Sequence, residues 1–218
     1  MRRLSEASGP AALADYIIYV LNPTVPMVNG MNNPQETQLP FDENLFELLL
    51  QQFAGNNGEL PMAIAYLIQA TDDDDALRKS TLVRIVREKI KHANIVGAML
   101  LQMAHGRSGP LSTNVDQDEL GELLAKKGGN DENFERARLL MGNLSKAKGA
   151  PDPEQHYASD PKVYLQANII TEDKQIAAYE EMASLTTESN FISALNYAKG
   201  RQLQHREELV GLLQRVSE

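Results

Sequence analysis

The chain has 218 residues, of which 42% are hydrophobic and 23% charged, enough for one domain with a sizeable core. Its formal charge is −9 without a long Lys/Arg run, which argues against a nucleic-acid-binding surface. Cysteine is absent, so disulfides, thiolate metal sites and cysteine nucleophiles are excluded. Abundant Leu, Ala, Met, Gln and Glu favour an all-α fold.

The first 41 residues are predicted to form an N-terminal arm with one short helix. The apolar run 13–21 is too short to span a bilayer and contains Asp15. Arg2 and Arg3 precede it as in a signal peptide, but a small-residue cleavage pattern is missing, so a short packed helix is expected. Residues 22–41, rich in Pro and Asn, indicate a loop or an extended arm. No membrane partner is expected, and the cytoplasm is the default location.

Helical periodicity begins near Asp42, a suitable N-cap, and continues to about residue 70. Gly55, Gly58 and Pro61 interrupt this run, so two helical segments or one bent helix fit equally well. The acidic run at 72–75 is predicted to cap a second helix at about 76–104 because Asp complements the positive end of the helix dipole.

Residues 105–160 are predicted to be a long crossover with two short helices, near 116–127 and 130–144. Its two histidines, His105 and His156, are expected to be surface loop residues. A third helix is predicted at about 161–185 and a fourth at about 189–216. Two helical hairpins joined by a long crossover predict a ferritin-like antiparallel four-helix bundle over residues 42–218.

A Glu–His interval repeats in the two predicted hairpins. His92 follows Glu59 by 33 positions, and His205 follows Glu172 by the same number. In each hairpin the glutamate lies on the first helix and the histidine on the second, so a pseudo-two-fold axis would relate the pairs. Bundles of this kind hold two metal ions with carboxylates and imidazoles. The interval alone leaves open a second interpretation, in which the histidines are hydrogen-bonded core residues.

The residues around Glu59 add a family resemblance. The segment Gln52-Phe-Ala-Gly-Asn-Asn-Gly-Glu59, with Tyr66 and Gln69 downstream, resembles the first core helix of manganese catalases, whose usual form is Gln-Phe-Gly-Gly-x-x-Gly-Glu. The resemblance returns at 88–100 and from about 159 to 213. This family includes spore-coat catalase-like proteins of similar size.

The resemblance implies the site and the reaction. Its metal ligands would be Glu59, His92, Glu172 and His205, and Tyr66 would lie near the approach to the site. The family uses two manganese ions, although the ligand types also suit iron. Hydrogen peroxide is reduced in one half-cycle and oxidised in the other, giving water and dioxygen. The resemblance also implies a homo-oligomer, since family members commonly form hexamers.

Three positions depart from the family pattern. The family motif before the first histidine is Glu-Glu-x-x-His, whereas this chain has Lys89 at the position of the bridging glutamate. A lysine ammonium has no lone pair for a metal ion. Gln202 stands where the family usually has a glutamate and Thr171 where an arginine is common. Because Gln202 cannot exchange a proton at neutral pH, proton transfer by the candidate catalytic residues, Tyr66 and Gln202, would suffer.

These departures predict competing functions. In the first, a divergent catalase keeps its two ions because a one-residue π-bulge brings Glu88 into the ligand position. In the second, the bundle holds one ion or none and has a structural or assembly role. Lys89, placed between Glu59 and Glu172, would then supply the positive charge that metal normally supplies.

Overall fold

The computed structural model describes residues 39–111, 117–124, 136 and 156–217. Within these ranges lie six α-helices: α1 (Glu43–Ala54), α2 (Glu59–Asp72), α3 (Ala76–Ala104), α4 (Gln117–Leu124), α5 (Pro161–Ser184) and α6 (Ser189–Val216). The predicted second, third and fourth long helices correspond to α3, α5 and α6. The predicted N-terminal helix, most of the arm and nearly all of 130–144 lie outside the described residues.

Aspartates determine where three of the helices begin. The side chain of Asp42 accepts a hydrogen bond from the Leu45 amide at 2.9 Å at the start of α1. Asp75 caps α3 and Asp160 caps α5 in the same way. Each carboxylate satisfies an amide that has no partner within its helix and favours the positive end of the helix dipole.

The first core run is two helices rather than one bent helix. Four residues, Gly55 to Gly58, separate α1 from α2 in a turn that folds back on the end of α1. At Gly58 a Cβ atom would lie only 2.8 Å from the carbonyl oxygen of Gln51 and 2.9 Å from that of Gln52. The turn therefore requires glycine. Pro61 lies in the first turn of α2, where its missing N–H breaks no helical hydrogen bond.

Two helical hairpins make up the bundle. Helix α2 packs along α3 and α5 packs along α6, with the crossover between the hairpins, while α1 packs against α3 and α5. This is the predicted all-α antiparallel arrangement. None of the helices described is both long and apolar enough to cross a membrane.

Two apolar clusters divide the interior along the bundle axis. One surrounds α1 and includes Phe46, Phe53 and Phe191. The other lies among α2, α3, α5 and α6 and includes Met62 and Leu82. Buried polar side chains form a layer between these clusters, which is where the predicted site residues lie: Glu59, Lys89, His92, Glu172, Gln202 and His205.

The prediction for His156 is wrong. Its side chain is buried and hydrogen-bonds to residues of α5, although it lies at the end of the crossover. The other crossover histidine, His105, is partly buried at the end of α3.

Candidate functional site

The ammonium group of Lys89 lies at the centre of the polar layer, between two glutamates from opposite hairpins. Its Nζ is 2.9 Å from Glu172 Oε1 and 3.5 Å from Glu59 Oε2. All three side chains are completely buried. Opposite charges attract strongly in such a low-dielectric interior. Lys89 thus lies between Glu59 and Glu172, the position that the sequence-based hypothesis gave it.

Glu59 is held by three neutral donors besides Lys89. Its Oε1 accepts hydrogen bonds from Tyr179 Oη at 2.6 Å, Gln202 Nε2 at 2.6 Å and Gln52 Nε2 at 3.1 Å. Burial raises the pKa of Glu59, but the charge of Lys89 and the proximity of His92 outweigh this and bring the pKa to about 2. Glu59 is therefore ionised at neutral pH.

Glu172 has a similar environment on the other side of Lys89. Tyr66 Oη donates to its Oε1 at 2.7 Å. Burial raises the pKa of Glu172, while Lys89 and His205 lower it more, so this carboxylate is also ionised. Burial and the adjacent glutamates raise the pKa values of Tyr66 and Tyr179 well above the usual range. Both tyrosines consequently act as neutral hydrogen-bond donors.

Two glutamines complete the shell around the ammonium. Lys89 Nζ donates to Gln175 Oε1 at 2.6 Å and to Gln202 Oε1 at 3.3 Å. Gln175 Nε2 in turn donates to the backbone carbonyl of Asn57 at 2.6 Å, in the turn before Glu59. The ammonium is thereby surrounded by oxygen acceptors from α2, α5 and α6.

The repeated Glu–His interval gives two matched pairs. His92 Nδ1 lies 3.5 Å from Glu59 Oε1, and His205 Nδ1 lies 3.6 Å from Glu172 Oε2. The two imidazole rings stack with their centroids 5.9 Å apart. Equal spacing in the two hairpins therefore becomes pseudo-symmetric pairing in space.

His205 has an oxygen acceptor at each ring nitrogen. Its Nε2 lies 2.8 Å from Glu88 Oε2, and its Nδ1 lies 3.0 Å from Gln202 Oε1. Both ring nitrogens of His205 are therefore occupied by contacts with oxygen atoms of neighbouring side chains. Neither nitrogen is free to bind a metal ion in this arrangement.

Glu88 is held at the rim of the pocket. Arg201 Nε donates to its Oε2 at 2.8 Å, and Arg84 Nη1 donates to its Oε1 at 3.2 Å. Burial raises the pKa of Glu88, but the hydrogen bonds from Arg201 and His205 lower it to about 2. Helix α3 is α-helical throughout, so the π-bulge that would carry Glu88 inward is not formed.

The chemistry of these residues does not fit two metal ions. Lys89 lies between the two glutamates, His205 is engaged at both nitrogens, and Glu88 is paired with arginines. In the described part of the chain, no three His, Asp or Glu side chains are grouped so as to hold a metal ion. Three buried atoms in the pocket still have no hydrogen-bond partner: Glu59 Oε2, Glu172 Oε2 and His92 Nδ1.

The fold thus brings the predicted residues into one pocket, with Glu88 at its rim. Three hydrogen-bonding side chains of the site were not predicted: Gln52 and Tyr179, which donate to Glu59, and Gln175, which accepts from Lys89. Gln175 and Tyr179 follow Glu172 by three and seven positions, which places them on the same face of α5. That spacing was available in the sequence and could have identified them.

Comparisons with known proteins agree with the resemblance. The family described as manganese containing catalase matches residues 34–218. Comparison with curated proteins gives no match. A crystal structure of KatB, a manganese catalase from Anabaena PCC7120, is 25% identical, covers 88% of this chain and 82% of its own, and has a TM-score of 0.52. A crystal structure of wild-type KatB, a manganese catalase from Anabaena, is 22% identical to this chain and has a TM-score of 0.52. The match covers 88% of this chain and 81% of the KatB chain.

The family match spans well over half of the chain, and the solved structures share its bundle over most of their length. The chain therefore belongs to the manganese-containing catalase family.

Proposed function

We propose that this chain is a metal-free family member in which Lys89 replaces the metal centre, and that its role is structural or in assembly. The observation that carries the proposal is the position of Lys89 Nζ, 2.9 Å from Glu172 and 3.5 Å from Glu59. Two buried carboxylates need positive charge, since an unpaired buried charge costs several kcal/mol. The ammonium supplies one positive charge, and hydrogen bonds from the neutral donors Tyr66, Tyr179 and Gln202 stabilise the remaining negative charge.

Disproportionation of hydrogen peroxide at a manganese centre is the second candidate. Family membership supports it, because the similar KatB structures are manganese catalases. The three buried atoms without a hydrogen-bond partner, Glu59 Oε2, Glu172 Oε2 and His92 Nδ1, also support it, since carboxylate oxygens and imidazole nitrogens are the atom types that bind manganese. On this alternative Lys89 would have to leave the space between the glutamates.

Metal content separates the two candidates. The wild-type chain, Lys89→Glu and Lys91→Glu would each be expressed with added manganese and measured by plasma mass spectrometry. Lys91 is the matched control because it is exposed on the same helix and undergoes the same charge change. We expect almost no manganese in the wild type and in Lys91→Glu, and about two ions per chain in folded Lys89→Glu. Manganese in the wild type, or a folded Lys89→Glu without it, would contradict the proposal.

Oxygen evolution tests the chemistry separately from metal binding. Lys89→Glu regains the bridging carboxylate but still lacks an acid–base group at position 202. We expect the double variant with Gln202→Glu to evolve oxygen from peroxide about a hundredfold faster than Lys89→Glu, because a positioned general base contributes about 10²–10⁴-fold. Equal rates in the two metal-loaded variants would show that Gln202 does not limit proton transfer.

The assembly role implies self-association. We infer a homo-oligomer from family membership, with a hexamer as the size common in the family. Light scattering coupled to size-exclusion chromatography gives the size directly. A monomer at micromolar concentration would contradict this inference and would leave the metal-free site proposal unaffected.

A further inference from the structure

His156 is a buried histidine outside the pocket of Lys89. It lies in the segment that ends the crossover, five residues before α5, and its side chain is buried against α5. Its backbone carbonyl accepts a hydrogen bond from Gln69 Nε2 of α2 at 2.8 Å. Its ring contacts Asn168 at 3.0 Å and Thr171 at 3.3 Å, both on α5.

The hydrogen bonds around the ring of His156 accommodate a neutral imidazole. Gln69 Nε2 donates to the backbone carbonyl of His156, which fixes the orientation of the Gln69 amide. Gln69 Nε2 also donates to Asn168 Oδ1 and Asn168 Nδ2 donates to Gln69 Oε1, so the Asn168 amide is fixed in turn. Asn168 Oδ1 is consequently an acceptor for His156 Nδ1–H. The Thr171 hydroxyl can donate to Nε2 when that nitrogen carries no proton. The hydrogen bonds therefore accommodate a neutral ring with its proton on Nδ1.

The surroundings of His156 disfavour a positive charge on the ring. Burial lowers its pKa, Lys174 and Lys89 lower it further, and the bond to Asn168 opposes them only in part. Among the described residues, the carboxylates on this side of the bundle are paired with other groups: Glu172 with Lys89, and Asp73 with Arg78 and Tyr164. A protonated ring would therefore lose its hydration without gaining a counter-ion from the part of the chain that the structure describes.

We propose that His156 is an acid-sensitive latch that fastens the end of the crossover between α2 and α5. The latch is adjacent to the pocket of Lys89, since Thr171 precedes Glu172 and Gln69 lies one helical turn after Tyr66. Protonation releases this end and opens that side of the pocket to solvent. The contribution of His156 to the stability of the folded chain is complete above the ordinary histidine pKa of 6.5. This contribution is lost as pH falls through the lowered pKa of His156.

Hydrogen–deuterium exchange of the full chain at about pH 7.5 and about pH 5 spans the range in which histidines change charge and tests the latch. Rates are corrected for the intrinsic pH dependence of exchange. We expect faster corrected exchange at the lower pH in peptides covering residues 156–171, by about tenfold for each pH unit below the free histidine value. Peptides of α6 should not change. An unchanged rate at 156–171 would overturn the proposal.

Three variants distinguish the latch from general acid sensitivity. His156→Gln, neutral at both pH values, should lose the difference between them, whereas His105→Gln should keep it. Lys174→Gln removes an exposed repelling charge, so the transition should move to higher pH, while Lys162→Gln, also exposed on α5, should leave it in place. A transition that survives in His156→Gln would show that another group titrates.

Discussion

A lysine and a glutamate at position 89 would place opposite charges in the same buried pocket. A glutamate there would be a third carboxylate beside Glu59 and Glu172, and the group would require metal cations. Lys89 instead lies within 3.5 Å of both carboxylates and donates to Gln175 and Gln202. A single substitution thereby replaces a third buried negative charge with a positive charge that lies close to both carboxylates.

Replacing Lys89 with methionine should destabilise the chain strongly. Lys89→Met retains the apolar stem but leaves two buried carboxylates without their main cation, and breaking a buried pair costs about 3–5 kcal/mol. The free energy of unfolding in urea, followed by circular dichroism, measures the effect. The control Lys91→Met changes an exposed lysine and should stay within about 0.5 kcal/mol of the wild type. Similar stability of the two variants would contradict the counter-ion role of Lys89.

The turn between α1 and α2 positions one of the two glutamates. Its glycines let the chain fold back on the end of α1, and Gly58 caps α2, whose first residue is Glu59. The Asn57 carbonyl in the same turn accepts from Gln175, which also holds Lys89. The geometry of this short element is therefore coupled to that of the pocket.

Adding a methyl group in this turn should cost stability. In Gly58→Ala the new Cβ would lie within 3.0 Å of three backbone carbonyl oxygens, which cannot rotate away as a side chain can. We expect a loss of about 1–3 kcal/mol, as for other overpacked sites. Gly211→Ala is the control, because a Cβ there meets open space within α6, and it should gain up to about 1 kcal/mol. Thermal and urea unfolding of both variants check the opposite signs.

Across the whole molecule, buried and partly buried carboxylates couple stability to acid. Glu59 and Glu88 have pKa values of about 2 in the folded chain, against an ordinary value of 4.5, and the pKa of Glu172 is also lowered. The unfolded chain consequently binds more protons than the folded chain between these values. The stabilisation from these groups is present above 4.5 and is lost as pH falls toward 2.

Acid titration of stability should show this dependence and its origin. We expect the free energy of unfolding to fall steadily as pH is lowered from 4.5 toward 2. In Lys89→Met the pKa values of Glu59 and Glu172 lose their main lowering cause, so the fall should be shallower. Equally steep profiles in urea titrations of the two proteins would show that Lys89 is not what lowers these pKa values.

The helices could be predicted from the sequence because their signals are local. Asp42, Asp75 and Asp160 cap the helices at the expected ends, and apolar periodicity extends each helix to nearly its observed length. The equal Glu–His intervals and Lys89 were likewise visible, since hairpins of equal length bring equal intervals to equal depth in the bundle.

Only the tertiary structure decided which side chains on different helices contact each other. Whether α1 and α2 formed one bent helix, and whether α3 formed a π-bulge at Glu88, depended on packing against other helices. The burial of His156 depended on its contacts with α5 and α2, which are distant from it in the chain or in another hairpin. Local sequence fixes where a helix starts and which face is apolar. The depth, rotation and contacts of each face come from the interlocking of side chains that are distant in the chain.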